Sequence, residues 1–327
     1  MSGVDATTTA LAVPVGLNRA LVVVVTLALW GLLAVASRVG ASPWLLPVAA
    51  AFALLFQTNF ALLHEATHGV LAPSARENRV LGFVCGVVFP LSITLLTVTH
   101  HSHHEKNRGP EERFDAVDDA SELPRRRLVW TIGLLGLWYL SIPLWCLSLL
   151  VAPGAVRWFS ERSRIGDRVF KNPLIVRRVR LELVAVIACQ VLCGWALGLA
   201  PVGVLACYGA AAFWWSSIQY LQHAFAPLDR IEGAFNLRAP RWYSWLVLHY
   251  QLHLNHHRQP QVSWFHLPTL SSRDDDTPGY AAQWWRLWRG PVLVSTLPSS
   301  MLPSSMLSSS MLPSSPPGTS PAGGPPP

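Results

Sequence analysis

The stretch WLLPVAAAFALLFQTNFALLHEATHG, residues 44–69, decides what kind of molecule this is. Its first part, Trp44 to Leu63, is an apolar run of the length that crosses a bilayer, about 20 helical residues for a hydrocarbon core about 30 Å thick. It runs directly into HEATH, where His64 and His68 stand at i, i+4, one turn apart on one helix face. Two imidazoles are therefore delivered together to the edge of a membrane span.

Two further groups repeat the pattern. HHSHH (100–104) and HLNHH (253–257) each place three histidines at i, i+3, i+4. Nine of the chain's twelve histidines thus fall into three tight clusters, a spacing that metal ligation requires and chance grouping does not produce. His223, closing the segment QYLQH at the predicted end of another apolar run, is positioned to join them. His249 and His266 read as hydrogen-bonded bystanders, and His101 is additional within the second box.

Composition agrees with a membrane setting. Hydrophobic residues make up 51% and charged residues only 13%, against about 25% charged in soluble domains. The net charge of +7 does not indicate nucleic-acid binding, because the basic residues lie between apolar stretches, as topogenic charges do. Five cysteines in apolar context, with no CxxC pair, read as buried thiols.

The expected fold is all-α and integral to the membrane. Leu17 to Ala36 with Trp44 to Leu63, and Leu181 to Ala200 with Val202 to Leu221, form two helical hairpins, the first run being an uncleaved span and not a secretory signal. Two other apolar stretches, Val80 to Val98 and Leu128 to Val151, are placed by parity. If the boxes share one site they lie on one side, so Val80 to Val98 is interfacial or re-entrant, broken near Pro90. Leu128 to Val151, interrupted by Pro143, dips in and returns. The segment Ala152 to Arg180 carries Arg157, Arg162, Arg164, Arg168, Lys171, Arg177, Arg178 and Arg180 against Glu161 and Asp167, which places it in the cytoplasm. Arg76, Arg79, Lys106, Arg108, Arg113 and Arg125 to Arg127 give the flanks of Val80 to Val98 the same sign. The result is four transmembrane helices, interfacial or re-entrant helices, and a cytosolic cap of histidine boxes. Residues 1–16 form an N-terminal segment, 17–290 the membrane domain, and 291–327 a Pro/Ser-rich tail expected to be disordered.

HEATH also satisfies HExxH, in which a zinc protease uses Glu65 as general base. That reading needs one more ligand and leaves most of the clustered histidines idle. Imidazole-rich coordination suits iron as well as zinc, and two ions with four or five ligands each use about nine imidazoles. The candidates number nine: His64, His68, His100, His103, His104, His223, His253, His256 and His257.

From about Leu17 to Pro268 the chain resembles the membrane fatty acid desaturases, whose boxes are HxxxH, HxxHH and HxxHH. HEATHG fits the first box and HHSHH the second through His100, His103 and His104. HLNHHRQPQVSWFHLP fits the third with its tail, while QYLQHAF resembles the corresponding segment of alkane hydroxylases. The resemblance implies a mushroom-like helical fold with a non-haem di-iron centre at the membrane face. In two places the chain departs from that pattern, with His101 extra in the second box and His249 where many desaturases carry asparagine; either can support the ligands from outside.

An unactivated C–H bond offers neither an acidic proton nor an electrophilic carbon, so redox metal and O2 must do what side chains cannot. The expected activity is oxygen-dependent desaturation of a lipid acyl chain. The alternative on the same scaffold is a hydroxylase or ketolase acting on a hydrocarbon or carotenoid. A zinc protease and a non-catalytic metal binder are further alternatives. No flavin fingerprint or cysteine cluster is present, so the electrons are expected from a separate donor of ferredoxin or cytochrome b5 type, for which the segment Arg157 to Arg180 offers a basic surface.

Overall fold

The computed structural model describes residues 11–154, 156–158, 169 and 172–302. Much of the basic segment 157–180, the first ten residues and the tail from 303 lie outside the described residues. Helices dominate. In chain order they are α1 (Val15–Val39), α2 (Leu45–Thr67), α3 (Ala75–Val88), α4 (Ile93–Lys106), α5 (Leu123–Ile132), α6 (Trp138–Val151), α7 (Pro173–Ala196), α8 (Pro201–Ile218), α9 (Arg241–Leu246), α10 (His253–Arg258) and α11 (Tyr280–Leu287). Among the described residues, five helical stretches are long and apolar enough to cross a membrane: 15–39, 45–67, 120–151, 173–196 and 201–218. They fit a multi-pass membrane protein.

The first expected hairpin is present, with α1 packed on α2; α7 and α8 are joined by the expected turn but diverge from it, α7 packing on α3, α4 and α6 and α8 on α2 and α1. The turns of the two pairs meet. The amide of Ala200 donates to Ser37 Oγ at 2.9 Å, and a Cβ on Gly203 would lie 2.5 Å from the Ser37 nitrogen. Only glycine allows that approach. At the opposite end, the buried Asn18 of α1 donates to the Leu71 carbonyl and accepts from Trp264 Nε1. The start of α1 and the tail of the third histidine box are thus joined beside the end of α2.

Between α2 and the second box the chain bends by 97° at residues 89–92. Pro90 lies in this break, as expected, and Ser92 restarts the helix by accepting from Leu95 N. α3 runs back along α2, with Gly82 close against Ala66 and Ile93 and Asn59 donating to the Cys85 carbonyl. α4 then returns towards the end of α2. Glu182 of α7 clasps the turn, accepting from Ser92 Oγ, Thr94 N and Thr94 Oγ1.

The second irregular stretch differs from expectation in where it breaks. α6 continues through Pro143, and the departure is at the π-helical segment Gly133–Leu137, where Gly136 has φ 129°. That backbone region is open to glycine and strained for any side chain, whereas a proline in a helix costs one hydrogen bond and can be absorbed. The kink brings Trp138 back onto Trp130, rings 5.3 Å apart. A further difference concerns the charges after the second box. Arg108 is buried against the equally buried Asp115 as an internal brace, and the buried Arg113 pairs with Asp118, whose side chain is exposed, so neither arginine is a free surface charge.

The stretch 291–302, grouped on composition with the tail, makes defined contacts. Strand β2 (Val292–Leu293) pairs in parallel with β1 (Ala116–Val117), and Leu228 N donates to the Met301 carbonyl.

Candidate metal centre

The histidines reach the site by four local devices. His64 is in the last turn of α2 and His68 is its C-cap residue. His100, His103 and His104 occupy the second half of α4, and His253, His256 and His257 lie on the short α10. His223 comes from the turns that follow α8. The nine predicted residues are brought together, and the structure sorts eight of them.

His64, His68, His100 and His256 form one group, and His103, His223, His253 and His257 another; within each, the ring nitrogens that could hold a metal ion lie within 4.8 Å of one another. His104 stands between. Its Nε2 is 3.1 Å from Nε2 of His100 and 3.0 Å from Nε2 of His256, while its ring centroid is 4.3 Å from that of His257.

The donor set fits metal. Nε2 of His64, His68 and His257 is buried with no hydrogen-bond partner among the described residues, and Nε2 of His103 faces Nε2 of His223 at 3.2 Å. Where the rings carry their protons on Nδ1, Nε2 lone pairs converging in a buried space are unfavourable unless a cation sits between them. Burial first, and then neighbouring imidazoles, hold His253, His256 and His257 well below the usual histidine range. Neutral imidazole is the form that binds metal.

Two rings are oriented from outside. Nδ1 of His103 is 2.8 Å from Glu112 Oε2, and Nδ1 of His223 is 3.0 Å from the Gly233 carbonyl. A carbonyl can only accept, so His223 carries its proton on Nδ1 and keeps Nε2 free for a cation. Neither Glu112 nor Gly233 was singled out in the sequence. Also absent from that reading is the buried brace around Asp115, which takes Arg108 through both oxygens, the amide of Phe225, and a contact from the Tyr220 hydroxyl. This brace joins the loop after the second box to the loop that carries His223. The only local hint is a run of charges, HEKNRGPEERFD, which composition alone assigns to solvent.

The three remaining histidines stand outside both groups. His101 Nε2 is 3.1 Å from the Thr67 carbonyl, beside His68. His249 packs against Trp245 and Trp264, and His266 reaches the Ala12 carbonyl. Glu65 points away from a catalytic role: its carboxylate accepts from the amide of Trp264 at 2.9 Å and ties α2 to the tail of the third box.

A cavity of about 240 Å³ adjoins the centre. Phe60, Phe89, Leu91, Leu96, Ile142 and Trp215 supply its apolar lining, and His100, His103, His223 and His253 face it from the metal side. No lysine or arginine lines it, and its one carboxylate, Glu112, is engaged by His103.

Comparison with known families gives a match over residues 41–288 to the family model described as fatty acid desaturase. Comparison with individual curated proteins gives no match.

Proposed function

The chain belongs to the fatty acid desaturase family, and from that premise we propose that it is an oxygen-dependent lipid desaturase, introducing a double bond into a fatty acyl chain. The observation that carries the proposal is the apolar cavity walled on one side by four imidazoles from both candidate metal groups. Its mainly apolar lining, with Glu112 engaged by His103, suits a hydrocarbon segment whose charged head stays outside.

In this reading His64, His68, His100 and His256 hold one iron, His103, His223, His253 and His257 the other, and His104 serves the first group from a position close to the second. Two irons, when bound, supply the reductive activation of O2 that unactivated C–H bonds require. The chain's own groups bind and orient. Phe60, Phe89 and Trp215 give the hydrocarbon a rigid, water-excluding wall. Glu112 and the Gly233 carbonyl fix the rings of His103 and His223. Reduction of O2 to water consumes twice the electrons that loss of two hydrogens provides, so the remainder comes from an external donor of ferredoxin or cytochrome b5 type.

We further propose that four spans cross and that the boxes face the cytoplasm. The meeting of the hairpin tips at Ser37 and Ala200 supports this, as does the kink at Gly136. After that kink α6 brings the Leu150 carbonyl to Arg180, near the start of α7.

The test is expression of the intact chain with a donor system in a host whose lipids and pigments are profiled with and without oxygen. A new double bond that needs oxygen is expected. An oxygenated product without new unsaturation would transfer the chain to the hydroxylase or ketolase reading.

A further inference from the structure

A second cavity, of about 520 Å³, opens beside the approach to the third box. It shares no lining residue with the cavity at the metal centre. Arg238 and Arg241 line it, both exposed, and neither enters an ion pair among the described residues. Among the described residues no carboxylate lines it: the nearby acidic run Asp274 to Asp276 is not part of its wall. Its inner wall includes His249, a buried imidazole whose ring has aromatic contacts but no hydrogen bond among the described residues.

The wall is built on unusual backbone. Leu248 and His249 have φ of 50° and 53°, left-handed values that cost free energy in residues other than glycine and persist where surrounding structure holds them. The amide of His249 is held by the Ser244 carbonyl at 2.7 Å. The outer wall is aromatic and open: Trp245 is 48% exposed and Phe265 40%, and Trp242, on the same short helix as Trp245, is 67% exposed. α9, which carries both tryptophans, is fastened to the apolar span α2 by Thr58 Oγ1 donating to the Leu246 carbonyl at 2.6 Å. Exposed tryptophans alongside a span, with arginines next to them, mark the depth of lipid headgroups.

We propose that this cavity binds the phosphate of an anionic membrane phospholipid, with Arg238 and Arg241 donating to the phosphate oxygens and His249 and Trp245 closing over the headgroup. Guanidinium groups match phosphate oxygens in geometry as well as charge. The aromatic wall selects a phosphate attached to a lipid over a free one. Because His249 lies four residues before His253, an occupant here braces the segment that leads into α10. The inference is independent of which reaction the metal centre performs.

The experiment uses the iron-loaded full chain extracted from membranes containing phosphatidylglycerol and phosphatidylcholine. Native mass spectrometry should find one phosphatidylglycerol retained per chain. Dihexanoyl-phosphatidylglycerol should bind at least ~10-fold more tightly than dihexanoyl-phosphatidylcholine or inorganic phosphate, the scale set by charge-assisted hydrogen bonds. Arg238→Gln with Arg241→Gln should lose the retained lipid and that preference while keeping its iron. His249→Ala should weaken binding less. Arg76→Gln with Arg79→Gln, which removes two exposed arginines elsewhere, should keep the lipid. Unchanged retention in the Arg238/Arg241 variant, equal loss in the Arg76/Arg79 variant, or inorganic phosphate binding as tightly as the short-chain lipid would each overturn the proposal.

Discussion

The imidazole of His223 donates from Nδ1 to the carbonyl of Gly233 at 3.0 Å, and Gly233 occupies a position that no other residue fits. A Cβ there would lie 2.1 Å from the Asp229 carbonyl oxygen and 2.3 Å from Arg108 Cγ. One of these neighbours is backbone and cannot step aside. The isolated histidine is therefore aimed by a glycine ten residues away.

Gly233→Ala should displace that carbonyl and turn the His223 ring. Iron at the group containing His223 should weaken by ~10–100-fold, as for other outer contacts to metal-bound histidine. Iron per chain measured by mass spectrometry should fall from about two towards one, with helix content unchanged. Full iron at unchanged affinity would show that the carbonyl does not set the ring.

His223→Ala should cost iron and activity as severely as His253→Ala, since the two rings stand 4.8 Å apart in one group. His266→Ala, whose ring reaches only the Ala12 carbonyl, should leave two irons in place. A His223→Ala protein with full iron would remove that residue from the centre, and a single tightly bound zinc in active protein would remove iron altogether.

Glu65 should tolerate an isostere and not a truncation. Glu65→Gln keeps an acceptor for the Trp264 amide, so oxidation activity should fall modestly. Glu65→Ala leaves a buried amide unpaired, at a cost of ~1–3 kcal/mol, visible as a lower melting temperature. Peptide cleavage that is independent of oxygen and lost in Glu65→Gln would restore the protease reading.

Single cysteines at Ser74 and Ser121 should be labelled from the cytoplasmic side, and one at the exposed Ala41 from the opposite side. Labelling of Ser74 and Ser121 from different sides would mean that the bent pair α3–α4 crosses the membrane, and the four-span arrangement would fail.

By itself the sequence determined what rests on local periodicity. Apolar runs of spanning length announce α1, α2, α7 and α8, Pro90 announces the bend before the second box, and i, i+3, i+4 spacing announces which imidazoles share a helix face. Those relations hold within one or two turns, so they survive without knowledge of the rest of the chain. Tertiary structure alone decided how eight of the nine imidazoles divide and left His104 between the groups. The grouping of His64 with His256 and of His103 with His223 depends on the rotation and offset of α2, α4 and α10. Contacts between distant segments set these, among them Gly82 against Ala66 and Ile93 and the Asp115 brace. The same reason hid Gly136, which breaks the chain where Pro143 was expected to, and Gly233, whose importance exists only once Asp229, Arg108 and His223 have closed around it.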